Sequence, residues 1–148
     1  VVIRDEARRF EEILRKIEAV VREKGRMELE EMDLTPPQVE VLSRLYFHGS
    51  TTQTSLAQEL YLAKSTISGI LDRLEKRNMV RRTRKDEDRR TAVVKLTPKG
   101  ELIIQRILEK RAAYLHELLD PLPTDELRKF MSILEEIVKK VPDAPQHI

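Results

Sequence analysis

From Phe10 onward, apolar residues fall at Ile13, Leu14, Ile17, Val20 and Val21, the three-and-four spacing of one helical face. The pattern predicts a long amphipathic helix that ends near Gly25, followed by a polar connector over residues 26–34. A second helix starts within LTPPQVEVLSRLYFHG. Thr35 is its N-cap, Pro36 and Pro37 take positions whose N–H groups would lack partners anyway, and Gly49 closes it. Val39, Leu42, Leu45 and Tyr46 form its buried face.

Two short helices with almost no linker come next, in TTQTSLAQELYLAKSTISGILDRLEKRNMV. Thr52 caps the first, which packs Leu56, Ala57 and Leu60, and the second packs Ile67, Ile70, Leu71 and Leu74. Asn78 stands just past the last turn, where a left-handed residue is wanted and Asn is the second choice after Gly. A pair this tight, with the small Ala57 at the crossing, has the layout of a helix-turn-helix. Because the apolar residues of the second helix turn inward, Lys64, Ser65, Thr66, Ser68, Gly69 and Arg73 are left on the wet side.

Val80 to Arg84 and Thr91 to Leu96 alternate or are β-branched around the turn KDEDRR, which predicts a two-stranded hairpin. Thr97 and Pro98 then start a helix that runs through Leu102, Ile104, Ile107 and Leu108 to about Leu119, where DPLPTDE breaks it. A last helix carries Leu127, Phe130, Met131, Leu134, Ile137, Val138 and Val141. The stripes of the first and last helices exceed what a small helix-turn-helix can cover, so burial between two copies of the chain is expected.

Composition sharpens this picture in two places. The 148 residues contain no Cys and no Trp, which removes disulfides, thiolate metal sites and thiol redox sensing, while 36% charged residues suit exposed helices. The overall charge of +2 conceals a segregation: residues 64–100 hold 12 Lys and Arg against 5 Asp and Glu, and the remainder holds 16 against 21. A basic segment on an acidic scaffold suits a polyanion partner, since each phosphate contact needs a nearby cation. The N-terminus lacks a signal-peptide layout and no apolar run approaches bilayer length, so a cytoplasmic protein without a membrane role is expected.

The segment STISGILDRLEKRNMVRRTRKDEDRRTAVVKLTPKG resembles the MarR family of winged-helix transcription regulators. The resemblance rests on the Ser-Thr-Ile opening, Asp72-Arg73-Leu74-Glu75, Val80, the trio Asp88-Arg89-Arg90 and the ending Thr97 to Gly100, and the order of helices extends it over nearly the whole chain. It implies a mainly α fold with a small β-hairpin wing, a winged helix-turn-helix carried on helical dimerisation arms. The division would be 1–34 for the first dimerisation helix and connector, 35–100 for the DNA-binding domain and 101–148 for the remaining dimerisation helices. It further implies that a helix of about Lys64 to Arg77 enters the major groove of double-stranded DNA. The wing, with Arg84, Lys85, Arg89 and Arg90, would reach the minor groove while Asp88 braces it. Three departures bear on which DNA is read: Tyr61 replaces the usual turn Gly, Ala63 offers no capping oxygen, and Gly69 stands where Arg is frequent.

The expected function is a homodimeric, sequence-specific repressor of a pseudo-palindromic operator, modulated by a small molecule held between the DNA module and the arms. The alternative is a winged-helix adaptor that docks proteins and ignores DNA. Catalysis is not expected: there is no Gly-rich phosphate loop, no paired His and Glu motif on a helix, and no spacing that encourages a Ser-His-Asp set. No metal or cofactor is expected either, because His48, His116 and His147 lack a paired His one turn away. Peripheral membrane binding is disfavoured, since the basic hairpin has no apolar face to insert.

Overall fold

In a computed structural model, which describes residues 3–84 and 92–142, the apolar periodicities become six helices and three short strands among the described residues. In chain order they are α1 (Arg4–Glu31), α2 (Pro36–His48), β1 (Thr51–Thr52), α3 (Gln53–Glu59), α4 (Lys64–Lys76), β2 (Val80–Arg84), β3 (Ala92–Leu96), α5 (Pro98–Leu119) and α6 (Thr124–Lys139). The strands form one antiparallel sheet in the order β1-β3-β2. The fold is a winged helix-turn-helix flanked by long helices.

Three threonines start helices as their sequence context predicts. Thr35 and Gln38 form a reciprocal capping box on α2, Thr52 Oγ1 accepts from the Ser55 N–H at 3.1 Å, and Thr97 Oγ1 accepts from the Gly100 N–H at 3.1 Å. The core gathers Val41, Leu42, Leu56, Ile67, Leu71, Leu74, Val80 and Val94, all essentially inaccessible, and α5 contributes Ile104 and Ile107 to it. Gly100 makes that docking possible. A Cβ on it would lie 2.1 Å from the Met79 carbonyl oxygen, so the first turn of α5 presses directly on the chain leaving α4.

Two expectations need correction. The first helix does not stop near Gly25: residues 26–31 are helical, and the presumed connector is the last turn and a half of α1. Gly25 is instead a close-approach residue, buried where a Cβ would meet Arg111 Nε at 3.2 Å. The true stop is Asp33, left-handed at φ 53°. Around it the Leu34 N–H donates to Leu29 O at 2.9 Å and the Asp33 N–H to Glu30 O at 3.1 Å, the paired closing bonds of a Schellman turn. Leu29 and Leu34, the apolar pair that accompanies such a turn, both enter the core.

The second correction concerns the wing, which is three-stranded rather than a bare hairpin. Thr51 and Thr52 pair with Val94 and Val93 of β3. Two residues are too few to show alternation, so β1 exists only because β3 offers it an edge.

The long helices differ from this core. None of the residues of α6 is buried, and the α1 stripe Phe10, Ile13, Leu14, Ile17 and Val20 stays exposed. No helix among the described residues is long and apolar enough to cross a membrane.

Candidate nucleic-acid interface

The amphipathic pattern of α4 determines which of its residues a ligand can meet. Ile67, Ile70, Leu71 and Leu74 are buried, and the opposite side leaves Lys64, Ser65, Thr66 and Arg73 exposed, with Ser68 and Gly69 half-buried between the two faces. All six predicted residues of this helix therefore lie on or beside one accessible surface. Among the described residues, beyond the helix's own backbone and chain neighbours, no atom lies within 4 Å of a Cβ built on Gly69, so nothing there demands a glycine for packing. Ala63 precedes the helix in an extended conformation and provides no side-chain cap, so no capping side chain accepts from the first N–H groups of α4 among the described residues. Such an end, with Lys64 and two hydroxyls around it, suits a phosphate oxygen.

The helix is held in place from both sides. Arg44 of α2 makes a forked contact with Glu59 of α3, Nη2 lying 3.0 Å from Oε1, and so fixes the first helix of the pair. The turn into α4 uses Tyr61 in a left-handed conformation at φ 53°, with the Leu62 N–H donating to Ala57 O at 2.9 Å. Tyr61 thus fills the position where Gly is usual without changing the turn.

A residue not singled out from sequence binds the reader to the wing. Arg82 of β2 reaches across to α4, donating from Nε to Glu75 Oε2 at 2.7 Å and from Nη2 to Asp72 Oδ1. Burial alone would lower the pKa of this guanidinium, but the hydrogen bonds it donates to Glu75 and Asp72 outweigh that and hold the group above its ordinary value. The two carboxylates of α4 thus share one half-buried cation, which offsets one of their two negative charges. Arg73, next to Asp72 in the chain, makes no ion pair with it among the described residues. Sequence spacing gave no sign of this bridge, because Arg82 meets both acids only through the packing of β2 on α4.

The strand register reveals a second missed feature. Arg81 and Lys95 are directly opposite one another in the β2–β3 ladder, and both are exposed. Like charges facing across a ladder repel, and a polyanion relieves that repulsion. Arg84 is exposed at the end of β2, opposite Ala92. Lys85, Asp88, Arg89 and Arg90 lie outside the described residues. Lys64, Arg73, Arg81, Arg84 and Lys95 are all exposed, Arg81 and Lys95 on the sheet face opposite to Arg82, while among the described residues Asp72 and Glu75 are paired with Arg82.

Residues 34–92 match the model of the MarR family. The HTH-type transcriptional regulator YsmB of Bacillus subtilis is 36% identical over 128 residues, covering 86% of this chain and 88% of the relative. The HTH-type transcriptional repressor MdtR, also of Bacillus subtilis, is 29% identical over 111 residues, covering 75% of this chain and 72% of the repressor. Among solved structures, a MarR family protein from Bacillus stearothermophilus superposes with a TM-score of 0.82 at 30% identity, covering 95% of this chain and 98% of the other.

Proposed function

Because this chain belongs to the MarR family of helix-turn-helix transcriptional regulators, we propose that it acts as a homodimeric repressor whose two α4 helices read a pseudo-palindromic operator. The observation that carries the reading is the exposed polar face of α4, with Lys64, Ser65, Thr66 and Arg73, beside a β2–β3 ribbon whose Arg81, Arg84 and Lys95 are exposed. Lys64, Ser65, Thr66, Ser68 and Arg73 would face the major groove, with the open site at Gly69 contributing no base contact. The wing, through Arg84, Lys85, Arg89 and Arg90 with Asp88 as brace, would follow the adjacent minor groove. Repression is the activity named for MdtR. A DNA target is in keeping with the cytoplasmic location read from the sequence.

Dimerisation is supported by the uncovered stripes of α1 and α6, whose Phe10, Ile13, Ile17, Phe130 and Ile137 all remain more than 40% exposed in the single chain. In this reading residues 1–34 and 101–148 supply the arms and 35–100 the reader. The ends of α1 and the start of α5 belong to both, since Leu29, Ile104 and Ile107 enter the reader's core.

A response to a small molecule is supported by a cavity of about 290 Å³ between α1 and α5, lined in part by Lys24, Glu28, Lys110, Arg111 and Tyr114. Glu28 is taken up by Lys110 at 2.7 Å. Arg111 has no such partner: its Nε is buried without a hydrogen bond among the described residues, and burial lowers its pKa from the ordinary value. A desolvated, unmatched guanidinium favours a small anion. A ligand seated there would alter DNA affinity by the difference in its binding to the two arm geometries.

Selection of bound fragments from random duplex DNA tests the reading. The expected winners are palindromes with half-sites about one helical turn, ~34 Å, apart. On such a duplex Arg90→Ala should weaken binding and lower the slope of log affinity against log salt by about one. Retention of no duplex even in dilute buffer would overturn the assignment in favour of a protein-docking adaptor.

A further inference from the structure

The far end of the reading helix is fastened to both long helices. Arg77, the C-cap of α4, donates from Nη1 to the Asp33 carbonyl at 2.5 Å and from Nη2 to the Met32 carbonyl at 2.7 Å. These two carbonyls close α1, a helix that ends against its own dipole: Glu28, Glu30 and Glu31 crowd its last turn, which has no basic residue. Arg77 supplies the missing cation from 44 residues away in the chain. On the other side of the same corner, Lys99 Nζ donates to the Arg77 carbonyl at 2.9 Å and the buried Thr97 Oγ1 to the Asn78 carbonyl at 2.6 Å. The first turn of α5 therefore grips the segment that Arg77 ties to α1.

We propose that Arg77 is a positioning residue for operator reading, its fork transmitting the orientation of the long helices to α4 and so setting the half-site spacing that the dimer accepts. The inference rests on the dimeric DNA-reading assignment above. Its physical basis is leverage. Lys64, Ser65, Thr66 and Ser68, four of the residues assigned to the groove, are in the N-terminal half of α4 and the clamp is at the C-terminal end, about 20 Å from the first of them for a 13-residue helix. A swing of about 10° about the clamp displaces the reading end by roughly 3 Å, close to the ~3.4 Å rise of one base pair. A single ammonium cannot span two successive carbonyls as the planar fork does, so Lys is not an equivalent.

The test uses the full-length wild type, Arg77→Ala and Arg77→Lys on duplexes carrying the selected operator and on versions with the half-sites moved apart or together by one base pair. Wild type should lose about tenfold in affinity for each off-register duplex, whereas Arg77→Ala should lose about threefold or less, with Arg77→Lys between them. The salt slope at the best spacing should be unchanged in both variants, because the guanidinium is engaged with carbonyls rather than phosphate. An undiminished spacing penalty in the variants overturns the inference, and an undiminished penalty with a slope lower by about one identifies Arg77 as a phosphate contact instead. Should Arg77→Ala not give a folded protein, Arg77→Lys, which retains the charge on a single donor nitrogen, decides the matter by the same comparison. Wild type that binds no duplex at all removes the underlying assignment and this inference together.

Discussion

The reader module and α6 obey the same amphipathic rule and reach opposite results. In α4 every residue of the apolar stripe is buried within the chain, whereas in α6, which has an equally regular stripe, none is. Periodicity therefore specifies which face of a helix is apolar and leaves open what covers it. The module closes on itself because α2, α3, α4, the sheet and the start of α5 surround one point, while α6 is carried away from that point by the length of α5. The uncovered stripes of α1 and α6 are the surfaces that the proposed homodimer would bury.

The sharpest way to break this contrast is at the joint between the two regions. Gly100→Val puts a branched side chain where even a Cβ meets the Met79 carbonyl at 2.1 Å, and should destabilise the module by about 4 kcal/mol or prevent folding. Urea denaturation followed by circular dichroism measures it, and a loss below ~1 kcal/mol would mean that α5 docks more loosely than described. Phe130→Asp should act on the arms alone. It is expected to weaken dimerisation by at least about 2 kcal/mol, some thirtyfold, while the module keeps its helical signal. Sedimentation at several concentrations reads this directly, and an unchanged association state would remove Phe130 from the interface.

The smallest expected change refines the module. Tyr61 is a bulky residue at φ 53°, exposed, in a position that glycine fills without steric penalty. Tyr61→Gly should raise stability by about 1 kcal/mol with no effect on the arms. A fall in the denaturation midpoint would show that the tyrosine ring makes a contact worth more than the conformational relief.

Much of the fold was legible because its signals are local. Thr35, Thr52 and Thr97 each lie three residues before the N–H they cap, and the buried positions of α3 and α4 follow a 3.6-residue period. The site residues of α4 were placed by the same rule, as whatever the buried face leaves over. Legibility failed where a residue's role depended on chain far away. Gly25 resembles a stop signal, but the approach of Arg111 explains it, and Asp33 ends the helix with a residue that is only tolerated in the left-handed region. Strand β1 needs β3, and Arg82 needs Asp72 and Glu75 presented by a neighbouring element.

By itself the sequence determined the helix faces, their caps, the basic segment and the order of elements, since each is encoded within a few residues of itself. Only the tertiary structure decided that α1 runs on into the reader's core, that Arg82 pairs with both acids of α4, and that Arg77 joins the reading helix to the end of α1. Those contacts link residues up to 45 positions apart, and no local pattern records a distance that folding alone brings down to a hydrogen bond.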